Sequence, residues 1–182
     1  SYNYTSSGVS TTIHFLYPVV VAAMMIIFYK EKLSRNLLIA EVLSLIGVAL
    51  LCWNDSGFIS TKGLLAVLLT VFTYSIYIVE LNKPSLSKLE PEVITFYVML
   101  FGTFTFSVFS YSTTGIEIIP NTASFYNLIG LAVFATVLSN VALVAAVKYA
   151  GSTITSILGS LEPLTATAIG VFHFHEPFGW NS

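Results

Sequence analysis

"LGSLEPLTATAIGVFHFHEP", residues 158 to 177, sets an acid and a proline side by side in a run that is otherwise apolar or small. Both charge and helix breakage are expensive in such a run, so the meaning of Glu162-Pro163 depends on the solvent in which the chain folds. Composition answers that question. Of 182 residues only 9% are charged, against about 25% in soluble proteins, while 55% are hydrophobic. The mean hydropathy is +0.85.

Charge-free runs are more decisive than averages, because a helix needs about 20 apolar residues to cross the hydrocarbon core. Residues 1–29, 63–79, 93–116 and 118–147 contain no Asp, Glu, Lys or Arg. The pattern predicts six spanning helices, at about 9–29, 37–53, 63–81, 93–112, 125–147 and 153–172, joined by short connections rich in turn and charge signals. The fold class is therefore all-α, a polytopic membrane helix bundle. "TFTFSVFSYS", residues 103–112, alternates with the period of a strand, as a membrane β-barrel would. The other runs do not alternate and are about twice a barrel strand's length, so helix is retained throughout.

A net charge of -2 gives no basic footprint for nucleic acid. The single cysteine, Cys52, excludes an intrachain disulfide. Basic residues set the orientation: Lys30, Lys32, Arg35, Lys83, Lys88 and Lys148 lie in the first, third and fifth connections, and Lys62 alone lies on the other side. The connections at 30–36, 82–92 and 148–152 are thus expected in the cytoplasm and residue 1 outside, in a multi-pass protein of the plasma membrane. With no initiator Met, charged n-region or cleavage site, the chain is expected to begin partway through a longer protein.

Sliding the chain against itself by 145 residues pairs "FLYPVVVAAMMIIFYKEKLSRN" with "SLEPLTATAIGVFHFHEPFGWN". Leu16, Pro18, Ala23, Glu31 and Asn36 then meet Leu161, Pro163, Ala168, Glu176 and Asn181. By the charge count the two segments cross the membrane in opposite senses. That combination marks inverted repeats enclosing a site near the midplane, and an offset of five helices implies a partial five-plus-five arrangement. Residues 1–56 are expected to close a first repeat and residues 57–182 to form most of a second.

These residues resemble the drug/metabolite transporter superfamily, EamA family. "YPVVVAAMMIIFYKEKLS" is similar to the fourth helix of that family, "LIGVALLCW" to the fifth, "TKGLLAVLLTVFTYSIYIVELNK" to the sixth, and "TVLSNVALVAAVKYAGSTITSILGSLEPLTATAIGVFHFHEPF" to the eighth and ninth. The resemblance covers helices four to nine of ten, and His175 stands where the family has glycine before the acid. It implies secondary transport of a small organic metabolite, with export of an amino acid or related compound as the family-level expectation, by alternating access across the lipid bilayer.

Pro18 and Pro163 fall near the middle of their spans, where each removes a donor and crowds the carbonyl four residues earlier, at His14 and Gly159. Such backbone requires protein or a wet cavity beside it, as a packed kink or a cavity-lining hinge. Glu162 costs about 2.5 kcal/mol or more at this depth unless neutral, paired or hydrated. It is expected to point inward and to carry coupling protons, touch a substrate amine or bond a neighbouring helix. Ser156 and Ser160 belong to a small-residue stripe, either a close helix contact or a hydrogen-bonding wall. Thr136, Ser139 and Asn140 share one direction, as interhelical glue or as substrate contacts.

Tyr74 and Tyr77 share a face, with Tyr17 and Tyr97 adding aromatic surface that fits an interfacial belt or a site. His14 and Tyr17, beside Pro18, resemble cavity positions of the family, although a lone membrane histidine is more often a packing residue. Glu31 and Glu176 read as boundary residues, Glu31 screened by Lys30 and Lys32, and Glu41 as an acid that snorkels. "HFHE" lacks the convergence of a metal site, and no Walker loop, dinucleotide fingerprint or nucleophile elbow occurs, so neither cofactor, metal nor enzymatic activity is expected. Two other classes stay open: an intramembrane enzyme using Glu162 or His14, and a structural or receptor relative whose centre is filled.

Overall fold

The computed structural model describes residues 13–32, 34–52, 61–113, 115 and 121–173. Helices lie over all six predicted spans: α1 (Tyr17–Tyr29), α2 (Arg35–Cys52), α3 (Thr61–Glu80), α4 (Pro91–Thr113), then α5 (Thr122–Gly130) running through a π-helical stretch (Leu131–Leu138) into α6 (Ser139–Ala150), and finally α7 (Ser152–Gly159) and α8 (Glu162–His173). Among the described residues there is no strand, and residues 103–112 are helical despite their alternation. Four stretches, Thr61–Glu80, Pro91–Thr113, Thr122–Ala150 and Ser152–His173, are long and apolar enough to cross a membrane. Phe104, Phe106 and Phe109 on α4 are each more than 60% exposed, which hydrocarbon tolerates and water does not.

Local chemistry sets the helix ends. Ser34 Oγ accepts from Leu37 N to cap α2, and Asn121 Oδ1 accepts from Ser124 N at 2.8 Å to cap α5. Pro91 opens α4, where its missing N–H costs nothing, and Glu92 sits in the positive first turn. Gly151 joins α6 to α7 at a φ of 86°, a conformation that suits glycine. Lys30 ends α1 in the left-handed region at φ 54° and turns Glu31 back toward the bundle.

The chain divides into two compact units, Ser1–Glu80 with Ala150–Ser182, and Leu81–Tyr149. In the second, Lys148 Nζ donates to Leu89 O at 2.9 Å, binding the end of α6 to the turn before α4. In the first, α1 packs on α3 and α7, and α2 packs on α7 and α8. Tyr17, at the start of α1, touches Ser156 late in α7, whereas Glu31, just past the end of α1, touches Thr153 at the start of α7. The two helices therefore run antiparallel. The same reasoning makes α3 antiparallel to α7, since Ser75 reaches Tyr17 and Ile78 receives Ser152.

Glu41 departs from expectation: it is 6% exposed and does not snorkel. It lies six residues inside α2, on a helix that packs against both α7 and α8, so neighbouring helices cover it before its short side chain reaches the end of the span.

Candidate functional site

At Pro18 and Pro163 the regular helix is interrupted by a two-residue turn in which the backbone at Leu16 and Ser160 stays in the right-handed region. A helical turn ends at His14, Phe15 and Leu16 form a turn, and α1 begins at Tyr17. At the matching place α7 ends at Gly159, Ser160 and Leu161 form a turn, and α8 begins at Glu162. Hydrogen bonds repeat across the 145-residue offset as well. Leu16 N donates to Ile13 O as Leu161 N donates to Leu158 O, and Val20 N donates to Leu16 O as Thr165 N donates to Leu161 O. Each proline becomes the second residue of a fresh helix, where no intrahelical donor is required.

Antiparallel packing of α1 on α7 brings the two interruptions side by side. The Tyr17 hydroxyl donates to Ser156 O at 3.2 Å, and a Cβ at residue 159 would collide with that hydroxyl, so glycine makes the approach possible. Ser75 Oγ, wholly buried on α3, lies within hydrogen-bond distance of Tyr17 O at 3.2 Å and Val71 O at 2.7 Å, which share its single proton. Tyr17 is thus held at both ends of its residue, by its hydroxyl and by its carbonyl.

Aromatic rings extend from this anchor. Tyr17 and Tyr74 pack edge to face with centroids 4.9 Å apart, His14 lies 5.6 Å from Tyr17 and 5.5 Å from Tyr74, and Tyr77 lies 6.2 Å from Tyr74. Glu162 is exposed at the margin of the cluster, within coulombic reach of His14, Tyr17 and Tyr74. Seven of the residues singled out from sequence, His14, Tyr17, Tyr74, Tyr77, Ser156, Ser160 and Glu162, therefore belong to the first unit. Ser156 and Ser160 are buried, but their hydroxyls donate to Thr153 O and Ile157 O of their own helix. What Ser156 offers Tyr17 is its backbone carbonyl.

Thr136 and Asn140 lie in the second unit. Thr136 is within the π-helical stretch and bonds Leu131 O, and Asn140 Nδ2 donates to Thr136 O at 2.8 Å. Both side chains are thereby tied to their own helix. Tyr97, also in this unit, is exposed and packs edge to face on Phe96. Of the "HFHE" segment, His175 and Glu176 lie outside the described residues.

Sequence reasoning read Glu31 as a boundary acid and Ser152 as one of the small-residue stripe, and passed over Thr153. Thr153 Oγ1 donates to a Glu31 carboxylate oxygen at 2.8 Å, and Ser152 Oγ donates to Ile78 O at 2.8 Å. Glu31 is consequently bound to α7 besides having lysines for neighbours. These two bonds join the start of α7 to α3 and to the residues just past the end of α1. The available signal was the repeat of hydroxyls at 152, 153, 155 and 156, too dense for one packing stripe.

A multi-pass helical membrane protein with paired interruptions beside a buried polar and aromatic cluster is the class these features define. The model of the EamA-like transporter family matches residues 61–182, and the chain belongs to that family, whose members are membrane transporters of small molecules and not enzymes. No curated protein and no solved structure matches the chain.

Proposed function

We propose that the protein is a secondary transporter, an exporter of a small organic metabolite such as an amino acid or related compound, working by alternating access. Residues 1–56 and 57–182 then derive from two inverted repeats, in a plasma membrane with the connections at 30–36, 82–92 and 148–152 in the cytoplasm. The observation that carries this reading is the meeting of two interruptions, with the same hydrogen bonds and the same offset to proline, on antiparallel helices. Broken helices expose backbone that only protein or a wet cavity satisfies, and two of them at one level make a place for solute between elements that rock.

His14, Tyr17, Tyr74, Tyr77 and Glu162 form the substrate-facing cluster on this reading, Ser156 and Ser160 its tightly packed floor, and Thr136 and Asn140 further contacts. Protons are the proposed coupling ion, with Glu162 as their carrier. Flux of a labelled metabolite panel into proteoliposomes of the full-length protein, with and without a pH gradient, tests the proposal. Solute crossing chemically unchanged supports it. Chemical conversion, or no flux of any compound under any gradient, overturns it.

A further inference from the structure

The connection between α1 and α2 concentrates positive charge. Lys30, Lys32 and Arg35, three of the chain's seven lysines and arginines, fall close together and are exposed. The backbone from Lys30 to Arg35 spans at most about 18 Å, so the three charges stay together whatever their rotamers. One acid lies among them, and its carboxylate is engaged elsewhere: Glu31 accepts from Thr153 Oγ1 on α7. Among the described residues none of the three basic side chains forms an ion pair.

Apolar surface adjoins this charge. Ile27 and Phe28 in the last turn of α1, and Leu38 and Ile39 at the start of α2, are exposed. They stand about 3–6 Å along the helix axes from the nearest basic residue. Tyr29, which closes α1, belongs at the level where tyrosine meets lipid headgroups. Orientation in the membrane needs no such arrangement, since scattered charges would serve it equally. A soluble anion would meet the charges and leave the apolar residues to water, whereas a phospholipid meets both.

Two backbone features reinforce the charge. Helix α2 begins at Arg35, so the positive end of its dipole faces the same connection. Lys30 holds a φ of 54°, a left-handed position that glycine or asparagine adopts at lower cost, and a binding role for its side chain offsets that strain.

We infer that this connection holds the headgroup phosphate of an anionic phospholipid, with Lys30, Lys32 and Arg35 around the phosphate and the acyl chains along Phe28 and Leu38. On the orientation proposed above this is the inner leaflet, whose surface is negative. The site itself does not depend on the transporter reading.

Phosphatidylglycerol and phosphatidylcholine of equal chain length, one anionic and one zwitterionic, separate this site from general lipid contact. Each basic residue near a bilayer surface is worth about fivefold in affinity. The full-length protein in detergent should therefore retain phosphatidylglycerol roughly tenfold or more tightly than phosphatidylcholine, and inorganic phosphate should not displace it. Lys30→Gln with Lys32→Gln should remove most of that preference, whereas Lys62→Gln with Lys88→Gln, which removes the same charge elsewhere, should keep it. Equal retention of the two lipids, or equal losses in the two double variants, overturns the site. Displacement by inorganic phosphate overturns it too, as the mark of a free-anion site. Amine acetylation of the unaltered protein gives a readout that needs no variant to fold: phosphatidylglycerol should protect Lys30 and Lys32 and leave Lys62 and Lys88 reactive. Protection of none of these lysines, or of all four alike, decides against the site.

Discussion

The Tyr17 hydroxyl occupies the space that a side chain at Gly159 would need, and from there it donates to Ser156 O. A large residue at one interruption and the absence of a side chain at the other are thus one packing solution. Gly159→Ala should force the Tyr17 ring off Ser156 and toward Tyr74, at a cost of about 1–3 kcal/mol, the range for overpacking a close-fitted site. Tyr17→Phe alone should cost on the order of 0.6–1.7 kcal/mol for the lost bond within a membrane. The double variant should be more stable than Gly159→Ala, since the ring carbon behind the hydroxyl stands at ordinary contact distance. Thermal unfolding of the four proteins in detergent checks this cycle, and additivity of the two losses would contradict it.

At the opposite end of α1 and α7, Glu31 and Thr153 hold the helices together through a single hydrogen bond. If the two helices part there during transport, a covalent tie must stop the cycle. Cys52 is the sole cysteine in residues 1–182, so Cys52→Ser, with any cysteine elsewhere in the full-length protein also replaced, lets Glu31→Cys and Thr153→Cys form an unambiguous pair. A short bis-thiol crosslinker should arrest flux in proteoliposomes, and a cleavable version should restore it on reduction. Full flux with the crosslink in place would show that this end does not open.

Thr153→Val leaves the Glu31 carboxylate without its hydroxyl donor and should destabilise by roughly 1–2 kcal/mol, between the membrane average and the value of a charged hydrogen bond. Glu31→Gln keeps an acceptor in place and should cost less than Thr153→Val. Unfolding midpoints in detergent rank the two, and the reverse order would mean that Glu31 is held by charge and not by this bond.

The spans were legible because apolar run length and charge placement report directly on the membrane, and the repeat was legible because proline and acid kept their spacing. What the pairing of Leu16 with Leu161 could not disclose is that both prolines start new helices, since a proline inside an apolar run looks the same whether the helix bends or stops. Glu41 was misread for a related reason: distance from a helix end is visible in sequence, but the neighbour that covers a side chain is not. Ser156 was found for its hydroxyl, while the group that binds Tyr17 belongs to the backbone, which every residue type shares. Gly159 and Thr153 needed the antiparallel contact of α1 with α7 to acquire meaning.

Ser75 gives the last prediction, because size and hydrogen bonding make opposite demands there. It is wholly buried against α1 and its hydroxyl reaches both Tyr17 O and Val71 O. Hydroxyl bonds between membrane helices average only about 0.6 kcal/mol, so Ser75→Ala should unfold at nearly the wild-type temperature and keep the ring cluster. Ser75→Leu must push α3 away from Tyr17, separating Tyr74 from Tyr17 and His14, and should cost about 1–3 kcal/mol or more. Ligand binding should follow the same order, retained in the alanine variant and lost in the leucine variant. If alanine proves as damaging as leucine, the hydroxyl and not the small volume holds α3 against the interruption.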